Sequence, residues 1–199
     1  MPDPIALGFD TSAAHCAAAL LCGDRVLASR REEMTKGQAE RLFPLLEELL
    51  VEAGLTWQDL SVIGVGIGPG NFTGIRIAVA AARGLSLSLG IPAIGITATE
   101  AAAFGLARPC RVVLPLRGDQ LAFQDFVQDL VGEGGQPQQA AVGALPPGPT
   151  PSSSAVPPAE AIARLAALRK DQPAPRPAPF YLRPADAAPP REAAPVILP

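Results

Sequence analysis

Gly66-Ile67-Gly68-Pro69-Gly70-Asn71-Phe72-Thr73-Gly74-Ile75-Arg76 is the stretch on which the reading of this chain turns. A β-branched run, 61–67, enters it and a segment of apolar and small residues, 73–89, leaves it, so it reads as a strand-to-helix junction. Glycines around a proline permit positive φ and close backbone approach. Asn71 is placed to cap the helix, and a helix N-terminus favours anions. The junction is still not a nucleotide fingerprint. A phosphate loop needs Lys and then Ser or Thr after its last glycine, where this chain has Ile75-Arg76, and the spacing does not give G-x-G-x-x-G.

Upstream, residues 5–9 are a short apolar run suited to a buried strand, ending at Asp10-Thr11-Ser12. A turn there presents N–H groups, hydroxyls and a carboxylate able to hold Mg²⁺ beside a phosphate. The same three residues are also what ordinary turns favour. Residues 15–21 and 25–29 follow as strands joined by a tight turn at Gly23-Asp24, which predicts an antiparallel meander. A helix is expected over 38–53, with Leu42, Leu45, Leu46, Leu49 and Ala53 on one stripe and Gly54 as its stop. Pro44 must lie in its first turn or kink it.

Downstream, 93–96 reads as a strand and 97–106 as a helix. Strands at 111–116 and 121–127, joined by a turn over 117–120, repeat the opening in degraded form. A last helix over 159–170 has Pro158 at its first position and Ile162, Leu165 and Leu168 at helical spacing. The pattern is that of a duplicated α/β unit with a truncated second copy. Of 23 prolines, 16 lie at or after Pro137, which marks 132–158 as loop and 171–199 as an extended Pro/Ala-rich arm.

The chain has 199 residues, 48% hydrophobic and 18% charged, which excludes a wholly disordered protein and bounds it at one domain or two small ones. A net charge of −3 leaves no basic face to hold nucleic acid alone. Three cysteines without a C-x-x-C pair point to free thiols in a reducing compartment. The N-terminus lacks a signal-peptide pattern, and the apolar stretch 75–89 is interrupted by Arg76, Arg83 and two serines. A soluble, cytoplasmic protein without membrane contact is expected. His15 is the only histidine, so a metal site of several imidazoles is excluded.

The two longer helices carry more apolar and small residues than one core needs. In 73–89, Gly74, Ala78 and Ala82 form one small-residue row and Ala80, Gly84 and Ser88 another. In 38–53, Ala39, Phe43 and Leu50 add a second flank. Read as an association site, this surplus nominates Leu42, Phe43, Leu46, Leu50, Gly74, Arg76, Ala78, Ala82 and Arg83 as partner-contacting residues. Read as two deep core helices, the same pattern needs no partner. Arg76 and Arg83, seven apart on one face, are suited to meet acidic groups of a partner.

The Asp10-Thr11-Ser12 start, the helix with Glu40-Arg41-Leu42-Phe43-Pro44 and the Gly68–Arg76 loop together resemble the TsaB (YeaZ) family of bacterial tRNA-modification subunits. That family's loop has Ser where this chain has Asn71. The resemblance continues through Gly84-Leu85 and Ile91-Pro92 and returns at Phe180-Tyr181-Leu182-Arg183-Pro184, while Pro115 and Ala122 depart from it. It implies an α/β fold of the actin/hexokinase/Hsp70 type (ASKHA), with duplicated lobes and the second reduced. The boundaries expected are 1–107 for the first lobe with the association helices, 108–170 for the second, and 171–199 for the arm.

The resemblance further implies a chain with no catalysis, metal or cofactor of its own. Such a chain acts in making N6-threonylcarbamoyladenosine at position 37 of tRNA. Its partners would be a TsaD-like transferase subunit, a TsaE-like ATPase subunit and, through the same helices, a second copy of itself. It would meet tRNA only through the complex. The alternative is a nucleotide-binding phosphotransferase of the same superfold, with Asp10, Thr11, Ser12, Gly68 and Gly70 around the phosphates.

Overall fold

A computed structural model describes residues 3–127 and 135–182. Strands β1 (Ile5–Asp10), β2 (His15–Cys22) and β3 (Arg25–Glu33) form the antiparallel meander. β4 (Val62–Gly66) then joins β1 in parallel, and β5 (Ala93–Ile96) joins β4 in parallel. The five-stranded order is β3-β2-β1-β4-β5. The parallel crossovers are made by α1 (Gln38–Glu52) between β3 and β4 and by α2 (Phe72–Leu89) between β4 and β5. This is the mixed α/β lobe of the actin/hexokinase/Hsp70 type.

Alternation along each strand sorts its residues between two faces. Leu7 and Phe9 of β1, Ala18 and Leu20 of β2, and Ile63 and Val65 of β4 point to one side, where Leu42, Leu45, Leu46, Leu49 and Leu50 of α1 and Ala78 and Ala82 of α2 meet them. Ala6, Ala17, Ala19, Leu21 and Val62 point to the other. That second face is covered by α4 (Pro158–Arg169), through Ala159, Ile162, Ala163, Leu165 and Ala166. The sandwich is therefore α/β/α. Its second helical layer is supplied from far along the chain.

Helix 159–170, expected in the second lobe, thus lies on the first lobe's sheet. The reason is the smallness of that face. A Cβ on Gly8 would run into the backbone of Ala159 and Ala163, and one on Gly64 would run into Ile162 and Ala166. Two glycines and a set of alanines let the α4 backbone lie unusually near the strands.

The second sheet is a three-stranded antiparallel meander of β6 (Cys110–Pro115), β7 (Gln120–Phe126) and β8 (Gln138–Ala141). β8 falls inside the run expected to be loop. Its sequence, QQAA, has no strand signature, and it is held by pairing with β7. Buried Arg111 pins this unit: Nε and Nη2 donate to the two oxygens of Asp125 at 2.5 and 2.6 Å, and Nη1 donates to the Pro146 carbonyl at 2.6 Å. The hydrogen bonds from Arg111 hold the Asp125 carboxyl below its ordinary range. The helix expected over 97–106 is α3 (Ala98–Ala103), opened by a capping box between Thr97 and Glu100.

Pro44 lies in the second turn of α1, not the first. It leaves the Glu40 carbonyl without its helical donor on the exposed side, where water can supply one. α2 is the one described helix long and apolar enough to cross a membrane, but its inner residues Ile75, Ala78, Val79 and Ala82 are core. The three cysteines are free, and burial pushes the Cys16 thiol up to about 11.

Candidate functional site: the glycine loop and the outer face of two helices

The carboxyl ends of β1 and β4 bring the sequence's chemistry-bearing residues together. Asp10, Thr11 and Ser12 leave β1 as a buried turn. Asp10 Oδ2 accepts from Ser12 Oγ at 3.0 Å and from His15 Nε2–H at 2.8 Å, while Oδ1 accepts from the Ser12 N–H at 3.2 Å. His15 is itself buried, and its Nδ1 has no hydrogen-bond partner among the described residues. The carboxylate is engaged on both oxygens by its own neighbours.

The loop after β4 closes onto this turn. Thr11 Oγ1 donates to the Gly74 carbonyl at 2.6 Å, the Asn71 N–H donates to the Ser12 carbonyl at 2.5 Å, and the Gly74 N–H donates to the Asn71 side chain at 3.0 Å. Asn71 is the α2 N-cap, as its position in the sequence predicts. A Cβ on Gly74 would overlap the Thr11 carbonyl, and one on Gly70 would meet the Ser12 carbonyl. The glycines serve contact between two loops of one chain. Gly68, with φ +96°, presents its carbonyl to the Ala98 N–H at 2.8 Å. Asp10, Ser12 and Gly70 therefore contact one another, Thr11 bonds to Gly74, and Gly68 lies against Ile75 and Phe180 instead.

The partner-contact candidates divide sharply. Leu42, Leu46, Leu50, Gly74, Ala78 and Ala82 are buried in the chain's own core, so they do not face a partner. The sheet consumes a wider stripe of each helix than the sequence reading allowed: a helix on a sheet buries an arc of 100° or more, not a narrow seam. Phe43, Arg76 and Arg83 are exposed, Phe43 by 43%. The two small-residue rows of α2 also part, with Gly74, Ala78 and Ala82 inward and Ala80, Gly84 and Ser88 outward.

Two exposed positions, Leu87 and Val51, went unmarked in the sequence. Leu87, 85% exposed, continues the outward row from Arg76, Ala80 and Arg83, and helical spacing from Arg83 was the signal for it. Val51 of α1 is 78% exposed. Tyr181 lies against the start of α2, stacked on Phe72 with ring centroids 4.6 Å apart. The polar side of α1 is knit to β3, with Arg41 paired to Glu32 and Glu48, and Arg30 to Glu48 and Glu52. Hydrogen bonds from Arg41 hold the Glu32 and Glu48 carboxyls below their ordinary range. Among the described residues, no group of three or more His, Cys, Asp or Glu is placed to hold a metal ion.

Residues 26–115 match the family model described as TsaD, tRNA N6-adenosine threonylcarbamoyltransferase. The tRNA threonylcarbamoyladenosine biosynthesis protein TsaB of Buchnera aphidicola is 38% identical over 99 residues, which is 50% of this chain and 47% of that protein. The chain thus spans about half the length of that relative. An uncharacterized protein of Mycobacterium tuberculosis is 30% identical over 178 residues, covering 82% of this chain and 83% of its own length. Among solved structures, YeaZ from Pseudomonas aeruginosa superposes with a TM-score of 0.69 at 25% identity, over 83% of this chain and 92% of that one. With the loop motif, the strand order and these likenesses in agreement, the chain belongs to the TsaB/YeaZ family.

Proposed function

We propose that this chain is a non-catalytic scaffold and activator subunit in the cytoplasmic formation of N6-threonylcarbamoyladenosine at position 37 of tRNA, paired with a TsaD-like transferase subunit. The observation that carries this reading is the closure of the Asp10 turn and the glycine loop upon each other. Both Asp10 oxygens are taken by Ser12 and His15, and Gly70 and Gly74 face the Ser12 and Thr11 carbonyls of the same chain. A phosphotransferase would need that carboxylate and those N–H groups free for Mg²⁺ and phosphate. The likeness to the tRNA threonylcarbamoyladenosine biosynthesis protein of Buchnera supports the pathway.

The transferase subunit docks on the outward residues of α1 and α2, chiefly Phe43, Arg76, Ala80, Arg83 and Leu87. A second copy of the chain can occupy the same face, and a TsaE-like ATPase subunit completes the assembly. tRNA is reached through the complex, in keeping with the net charge of −3. The division at 107/108 marks two units, with α4 belonging to the first, and of the 171–199 arm the part beyond residue 182 lies outside the described residues.

Mixing the purified chain with the transferase subunit of the same organism, and measuring mass by light scattering, is expected to give a heteromer. Leu87→Glu places a charge where an apolar side chain is 85% exposed, so it leaves the fold intact and prevents assembly. Assembly of that variant at wild-type affinity overturns the docking face. Micromolar binding of Mg²⁺-ATP to the isolated chain, lost in Asp10→Ala, overturns the non-catalytic reading.

A further inference from the structure

Tyr181 is the chain's one tyrosine, and it reaches Arg76 across 105 residues of sequence. Arg76 Nε–H donates to the Tyr181 hydroxyl at 3.0 Å, and Arg76 Cζ lies 3.8 Å from the Phe72 ring centroid. Phe72 and Tyr181 stack on each other at an interplanar angle of 26°. The segment bearing Tyr181 is seated in turn. The Phe180 N–H donates to the Ile67 carbonyl at 2.8 Å, and Pro177 lies against Gly95 of the edge strand β5.

A guanidinium is thereby held by one ring face and one hydroxyl, both of which leave its two terminal nitrogens unused. Those nitrogens have no hydrogen-bond partner among the described residues, and neither does Arg83. The two arginines lie two helical turns apart on an exposed row, with the small Ala80 between them and Gly84 just beyond Arg83. On α1, Glu48 and Glu52 are already paired with Arg30 and Arg41. Two cations without a counter-ion among the described residues thus stand on one face of a chain whose net charge is negative.

We infer that the 177–182 segment is a working part of the docking face. Tyr181 is a positioning residue that fixes Arg76 as a two-pronged receptor for a carboxylate. The partner helix that lies along α2 carries acidic side chains about 10 Å apart, opposite Arg76 and Arg83. Stacking and the Nε bond remove rotamer freedom in advance, so less is lost when the carboxylate arrives. This rests on the proposed docking face and adds to it the chemistry of the partner and a contribution from the far end of the chain.

The test uses the full-length chain and the transferase subunit, with Kd measured by calorimetry at low and high salt. Tyr181→Phe keeps the stacked ring and loses only the hydroxyl. It is expected to weaken binding about three- to tenfold at low salt without moving the melting temperature. Arg76→Ala weakens binding more and flattens its salt dependence, and Arg76→Lys does not restore it because an ammonium has no fork. Adding Tyr181→Phe to Arg76→Ala has no further effect, a coupling that a merely structural tyrosine would not show.

Wild-type affinity in Tyr181→Phe, or an undiminished effect of that substitution in the Arg76→Ala background, overturns the inference. If Leu87→Glu blocks assembly while the tyrosine and arginine variants bind normally, the inference falls and the docking face stands. If the wild-type chain forms no complex, both fall.

Discussion

At the scale of single residues, the glycine loop is governed by what its neighbours leave no room for. Gly74 sits with its missing Cβ directed at the Thr11 carbonyl, and the Thr11 hydroxyl donates to the carbonyl of Gly74 itself. Gly74→Ala must push the β1 turn away from α2. Overpacking of this kind costs about 1–3 kcal/mol, so the urea midpoint should fall with an unchanged slope. Thr11→Val should cost about 0.5–1.5 kcal/mol for a different reason, the loss of the buried hydroxyl's bond to that carbonyl. Equal stability in both variants would mean that the two loops are not packed as described. The identity of the residues at this junction was legible in sequence, and so was the Asn71 cap. Their occupancy was not, because a motif shows which groups converge and not whether a ligand or the chain itself satisfies them.

At the scale of elements, the strands of the first sheet and its two crossover helices lie within a few residues of where period-2 and period-3.6 patterning places them. Two elements were illegible for distinct reasons. β8 has neither β-branched residues nor alternation, and only its ladder with β7 makes it a strand. α4 was visible as a helix, but a helical pattern tells which side is apolar and not which sheet it covers. The missing clue lay elsewhere, in the Gly and Ala residues of β1, β2 and β4, which demand a partner able to come very near. The same limit explains why residues that the core buries were nominated for a partner, since Leu46 and Ala78 look alike in sequence whether a sheet or a foreign helix covers them. Gly64→Val is the element-level test. Its side chain would strike Ile162 and Ala166, so α4 should lift from the sheet. Limited proteolysis ahead of Pro158 should accelerate, and the melting temperature should drop by well over the roughly 2–4 °C that 1 kcal/mol represents at this size.

At the scale of the whole molecule, the lobe that carries α1 and α2 is not a contiguous piece of chain. One of its two faces is covered by residues 158–169, beyond the entire second sheet. A fragment of residues 1–107 should therefore fail to fold by circular dichroism and elute as aggregate, and addition of a peptide spanning 156–182 should restore a soluble, helical species. A well-folded 1–107 fragment alone would show that the α4 layer is dispensable. The arrangement also has a consequence during synthesis. About sixty residues separate the end of β5 from the start of α4. At 5–20 residues per second, a ribosome leaves the back of the sheet bare for roughly 3–12 s. For that interval the nascent lobe shows water a sheet of alanine, leucine and valine, and is a natural client for holding chaperones until its last helix emerges.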